Sequence, residues 1–183
     1  MPDSRTLCVF CASSNHLPGR YHATARKLAG VFAERDVTLV YGGGNNGLMG
    51  TLATELHRLG GTVIGVIPRA LKDLGYAFGD ADEMIVTEDL RQRKAIMEQH
   101  ADGFVCLAGG FGTLEEILEI ITLKQLGMLD KPIALIDTDQ FFRGLLDQFE
   151  HMCDEQFFGP DYRDLFLVTD SPDEAVMYSV RES

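Results

Sequence analysis

A chain of 183 residues holds one domain, or one domain with a short tail, and its 45% apolar and 24% charged residues exclude a disordered polymer. No stretch reaches the roughly 18 to 20 consecutive apolar residues that cross a bilayer. Sixteen Lys and Arg against 28 Asp and Glu leave a net charge of −12, which excludes non-specific binding to nucleic acid or to an anionic membrane.

In chain order, strands are predicted over 6–12, 37–41, 62–67, 84–86, 103–107, 132–136 and 165–168. Most are near-continuous apolar runs, as expected of strands buried on both faces of a parallel sheet. Helices are predicted over 20–35, 48–59, 90–100, 113–127 and 140–153. A short last helix opens at Ser171-Pro172-Asp173-Glu174, where an N-cap Ser, a Pro at N1 and a Glu at N3 agree. This alternation predicts a three-layer, doubly wound α/β sandwich of Rossmann-like type, with one domain over 1–183. The start of the chain carries no basic segment followed by an apolar run and a small-residue cleavage site, so a cytoplasmic location is expected. Cys8 and Cys11 form a C-x-x-C inside the first strand. Residues three apart on a strand point to opposite faces, so the pair reads as small core hydrophobes and not as a redox or metal site.

Two loops after strands carry the chemistry. The first is Tyr41-Gly42-Gly43-Gly44-Asn45-Asn46-Gly47-Leu48-Met49-Gly50; the second is Ala108-Gly109-Gly110-Phe111-Gly112-Thr113-Leu114-Glu115-Glu116. Each opens a helix, whose first N–H groups and partial positive charge form an anion nest, best suited to phosphate. Thr113 adds a hydroxyl. The first loop satisfies G-x-G-x-x-G, but the acidic ribose partner of a dinucleotide site is missing about 20 residues on, and neither loop has the Lys of a Walker motif. A mononucleotide phosphate fits best. Arg91, Arg93 and Lys94 stand in the first turns of a helix, where cations oppose the macrodipole unless an anion compensates. Arg93 and Lys94 flank the apolar stripe of Leu90, Met97 and Ala101, and are expected to reach an anionic substrate. On the next helix, Leu114, Ile117, Leu118 and Ile121 are expected to face the sheet. Glu116 then falls on the far side with Ile120 and Leu123, close to a partly dry interface with a second body. Glu115 and Glu119 read as solvated charges.

These motifs strongly resemble the LOG ("lonely guy") family of cytokinin riboside 5′-monophosphate phosphoribohydrolases, relatives of which carry a lysine decarboxylase label. The resemblance runs from Val9-Phe10-Cys11-Ala12-Ser13-Ser14 to about Ile136. It implies a homodimeric, Rossmann-like hydrolase with its site near the subunit interface. The reaction splits the N-glycosidic bond of an (N6-modified) adenosine 5′-monophosphate into free base and ribose 5-phosphate. It further implies Arg93 and Glu116 as catalytic residues. Gly43, Gly44, Lys94, Gly109, Gly110, Phe111, Gly112, Thr113, Leu114, Glu115 and Thr122 would bind substrate or phosphate, with no metal and no cofactor. The partner is a small nucleoside monophosphate, with neither a nucleic-acid polymer nor a membrane involved. Departures are Ala108 for the motif's Pro, Arg91 for a common His, and Gly75 near the place of an acidic residue in the 69–82 loop, which is expected to shape the base pocket. The alternative on the same fold is a non-catalytic nucleotide or molybdenum-cofactor carrier, against which the intact Arg93 and Glu116 argue.

Overall fold

The computed structural model describes residues 5–181. The first four residues, on which the reading of the N-terminus partly rests, lie outside that range. The chain alternates strand and helix throughout: β1 (Thr6–Phe10), α1 (Gly19–Glu34), β2 (Thr38–Tyr41), α2 (Gly47–Arg58), β3 (Val63–Pro68), α3 (Arg69–Asp73), β4 (Glu83–Thr87), α4 (Leu90–His100), β5 (Gly103–Cys106), α5 (Phe111–Gln125), β6 (Ile133–Ile136), α6 (Arg143–Asp154), β7 (Leu167–Thr169) and α7 (Pro172–Ser179). Every predicted strand is present. The short α3 was not predicted, since five residues without a buried position carry no periodicity to read. The helix expected from 140 begins at Arg143, because Asp139 and Gln140 take left-handed backbone angles that an α-helix excludes. Among the described residues, no helix is long and apolar enough to cross a membrane.

The seven strands form one all-parallel sheet in the order β4-β3-β2-β1-β5-β6-β7. The period of two sorts each strand between two cores. Leu7, Val9 and Cys11 pack on the side of α1, α2 and α7, whereas Cys8 and Phe10 pack on the side of α4, α5 and α6. The two thiols of the C-x-x-C therefore face apart, both buried, and both remain free. Burial pushes each well above the ordinary thiol range, which keeps them neutral. The helix start predicted at Ser171 is present as well: Ser171 Oγ accepts from Glu174 N at 3.3 Å, with Pro172 at N1. The strand order reverses at β1, between β2 and β5, so the loops after β1, β2 and β5 meet at the carboxyl edge of the sheet.

The loop after β1 does more than connect. Ala12 O accepts from Leu48 N at 2.9 Å and from Met49 N at 3.3 Å, and Asn15 Oδ1 accepts from Gly47 N at 2.8 Å. Gly47 makes this closeness possible, since a Cβ there would lie 2.6 Å from the backbone carbon of Ser13 and its φ is +60°. Truncating Asn15 to Ala leaves one helix donor without its partner. The expected loss is about 1 kcal/mol of stability, read by urea unfolding.

Candidate active site

The two glycine loops do not offer the same thing. At the start of α2 the first three N–H groups are already taken by Ala12 and Asn15. Gly43 O accepts from Phe78 N at 2.9 Å, Asn45 N donates to Tyr76 O at 2.9 Å, and Tyr41 Oη donates to Gly44 O at 3.1 Å. The loop containing Gly43 and Gly44 is thus stitched to the chain around it, and its helix start is no open anion nest. At α5 the opposite holds. Gly110 is the N-cap, and Leu114 N donates back to it. Among the described residues nothing accepts from Phe111, Gly112 or Thr113 N–H. Three donors at the positive end of a 15-residue helix face outward beside exposed Gly110 and Gly112.

Beneath this helix start lies a buried ion pair. Arg93 Nη2 of α4 stands 3.2 Å from Glu116 Oε1 of α5. The expectation that Glu116 projects away from the sheet is wrong. The inward stripe of α5 is Thr113, Glu116, Ile117, Ile120 and Ile121, with Glu116 only 9% exposed, while Leu114 and Leu118 lie partly exposed on its flank. Ile117 and Ile121 of the expected stripe are buried as expected, but the buried face turns from Leu114 and Leu118 toward Thr113, Glu116 and Ile120. Arg93 reaches across the carboxyl edge to the first glycine loop: a Cβ on Gly42 would lie 1.8 Å from its Nη2. Its Nε is buried with no acceptor among the described residues. A buried guanidinium with a spare donor, next to three open N–H groups, is arranged to take up an anion or a hydroxyl.

Burial raises the pKa of Glu116, the attraction of Arg93 opposes that, and the nearby Glu115 adds to the rise; burial prevails. The folded state therefore holds this proton more tightly than the unfolded chain. Stability should fall as pH rises from the ordinary carboxylate value through the raised one, and stay level above it. In Glu116→Gln this part of the slope should vanish, a difference visible in urea midpoints measured between about pH 4 and 7.

Lys94, expected to reach an anionic substrate, is paired within the chain. It bonds to Glu115 and lies 2.6 Å from Glu119 Oε2, which locks α4 to α5. Burial lowers its pKa, but the hydrogen bonds it donates to the two carboxylates outweigh burial and leave it raised. Glu115 and Glu119 are thus not idle surface charges. Thr122 is exposed and returns its hydroxyl to Leu118 O at 2.7 Å, so within one chain it is not brought to Arg93 and Glu116. Phe111 is 93% exposed, and Leu114 stands beside it. Of the candidate residues, the structure gathers Arg93 and Glu116 beneath the loop of Gly109, Gly110, Gly112 and Thr113.

Two cavities meet here, and Ser13 lines both. One, of about 360 Å³, is bounded by Gly42, Met49, Ile67, Leu71, Tyr76 and Arg93. The other, of about 290 Å³, lies between the loops after β1 and β5. Leu71 and Tyr76 lie in the 69–82 loop that was expected to shape the base pocket, whereas the sequence named none of Ser13, Met49 or Ile67 for a pocket. The signal available was that Ser13 follows β1 at the switch point, and that the 69–82 segment follows β3.

A family model described as "Possible lysine decarboxylase" matches residues 49–178. A cytokinin riboside 5′-monophosphate phosphoribohydrolase of Arabidopsis thaliana is 40% identical over 172 residues, covering 94% of this chain and 75% of that protein. A probable enzyme of the same name from Oryza sativa subsp. japonica is 40% identical over 170 residues, covering 93% and 74%. Among solved structures, the molybdenum cofactor binding protein of Rippkaea orientalis matches with a TM-score of 0.72 at 21% identity, over 97% of this chain and 96% of that one. The molybdenum cofactor carrier protein of Chlamydomonas reinhardtii matches with a TM-score of 0.71 at 21% identity, over 95% and 94%. Likeness at that identity speaks to the fold alone.

Proposed function

Since this chain belongs to the LOG family of cytokinin riboside 5′-monophosphate phosphoribohydrolases, we propose that it hydrolyses the N-glycosidic bond of an adenosine 5′-monophosphate, plain or N6-modified. The observation that carries this reading is the buried Arg93–Glu116 pair lying under the open start of α5. The 5′-phosphate rests on the N–H groups of Phe111, Gly112 and Thr113, and this remote binding places the ribose over Glu116. The base lies in the cavity of Met49, Ile67, Leu71 and Tyr76. As the C1′–N bond breaks, its electrons leave with the base, which gains a proton, and positive charge spreads over C1′ and the ring oxygen. The Glu116 carboxylate faces that charge and orients the attacking water, whose oxygen bonds to C1′ and whose proton is released. Arg93 holds Glu116 and gives its spare N–H to a ribose or phosphate oxygen. The unit at work is a single Rossmann-like domain, paired as a homodimer over the exposed apolar residues Phe111, Leu126 and Met128.

The test is incubation with AMP and with isopentenyladenosine monophosphate, following free base and ribose 5-phosphate by chromatography. Release above the Glu116→Gln background supports the reading. Tight nucleotide binding without turnover, indifferent to that substitution, overturns it.

Lys94 supplies a second check. Its charge offsets Glu115 and Glu119, two carboxylates that disfavour a third charge at Glu116. In Lys94→Met the Glu116 proton should be held to higher pH. The acidic limb of the kcat profile is therefore expected to move upward in pH, with the alkaline limb in place.

A further inference from the structure

The smaller cavity adjoins the proposed phosphate nest at Gly109 and Gly110, and its chemistry differs from that of the rest of the site. Its walls are Ala12, Ser13, Leu17, Tyr21, Gly109 and Phe141. It opens on the α1 side of the sheet edge, whereas Glu116 and Arg93 belong to the α4–α5 side. Gly109 and Gly110, which lead into the open N–H groups of α5, form the boundary between the two. A phosphate or a sugar placed among Leu17, Tyr21 and Phe141 would lose its water with too little in exchange. An aromatic ring would not.

The turn that carries Phe141 is held in an uncommon shape. Asp139 and Gln140 are consecutive non-glycine residues at φ +55° and +58°. Such angles persist when surrounding contacts impose them, and they concentrate at ligand sites. The contacts here are Arg20 Nε to Asp139 Oδ2 at 2.9 Å, Thr138 Oγ1 to Thr24 Oγ1 at 3.0 Å, and Phe142 N to Asp137 Oδ1 at 2.7 Å. They bury Phe142 but leave Phe141 at the cavity mouth, 40% exposed, edge-on to Tyr21 at 5.7 Å between ring centroids. Phe142 alone would satisfy the core. The turn holds a second ring toward the opening.

We propose that this crevice is a second subsite, which takes an aromatic group esterified to the 5′-phosphate of the bound nucleotide, so that the site also accepts nucleoside 5′-phosphodiesters. The inference rests on the phosphate lying at the start of α5, as in the proposed function. Size agrees, since an apolar cavity of about 150 Å³ holds benzene and this one is about 290 Å³. Charge agrees too. A phosphodiester carries about one negative charge where a monoester carries about two, which suits a nest whose nearest lysine is spent on Glu115 and Glu119, in a chain of net charge −12.

The experiment is calorimetric titration of the Glu116→Gln protein, whose turnover is expected to be slowed about 10²- to 10⁴-fold, with AMP and with its 5′-phenyl ester. The ester is expected to bind at least about tenfold more tightly than AMP, a gain of about 1.4 kcal/mol. Phe141→Ala should bring the ratio of the two affinities close to one, with Phe141→Leu between, as a ring-specific contact requires. An ester that binds no better than AMP, or an advantage that survives Phe141→Ala, overturns the subsite and leaves the proposed function standing. Failure of both ligands to bind overturns the two together.

Discussion

Glu116→Gln is expected to lower kcat for base release by about 10²- to 10⁴-fold while leaving AMP bound. The amide keeps the size of the side chain and a hydrogen-bond acceptor for Arg93 Nη2, which now stands 3.2 Å from Oε1. It removes the negative charge and the capacity to accept a proton. In the proposed reading, binding rests on the helix start of α5, on the cavity of Met49, Ile67, Leu71 and Tyr76 and on Arg93, whose hydrogen-bond partner the amide retains. The loss should therefore fall on kcat, with KM nearly in place. Single-turnover rates and calorimetric AMP affinity together decide it. An equal loss in affinity would assign Glu116 to substrate binding instead.

Arg93→Met is expected to destabilise the fold by about 3–5 kcal/mol at neutral pH, because it leaves the Glu116 carboxylate buried without its counter-charge. The two side chains are only 12% and 11% exposed, so water does little to replace the pair. The double variant Arg93→Met, Glu116→Gln buries no charge there and should recover most of that loss. Burial already raises the Glu116 pKa against the pull of Arg93, so without Arg93 the carboxyl should hold its proton to still higher pH. The single variant should then approach the wild-type protein in stability under acidic conditions and diverge from it as pH rises. Urea unfolding of the four proteins across pH gives the whole cycle. Simple additivity of the two single substitutions would show that the pair is not coupled in the folded state.

The fold was legible because its signals are local. Each strand is a short apolar run, and the helices between them carry an apolar stripe, so the order of elements and the parallel sheet follow from adjacent residues. The glycine loops, Arg93 and Glu116 stand out on the same grounds. What escaped was orientation and partnership. Two stripes of α5 fit a helical period, one through Leu114 and Leu118 and the other through Glu116 and Ile120, and composition favours the wrong one. Nothing near Lys94 in the chain shows that Glu115 and Glu119, more than 20 residues on, will take up its charge. Nor does the glycine loop after β2 show that Ala12 and Asn15 will occupy the donors of its helix.

By itself, then, the sequence determined the α/β alternation, the absence of any broad positive field and most of the residues of the proposed phosphate site. The net charge of −12 limits any bound anion to a small one held by local geometry. Only the tertiary structure decided which helix start stays open, which carboxylate is buried against Arg93, and that an aromatic crevice adjoins the nest. Propensity and periodicity act over a few neighbouring residues. Hydrogen-bond satisfaction and desolvation are settled between segments about 20 to 100 residues apart, when the loops after β1, β2 and β5 are brought to one edge of the sheet.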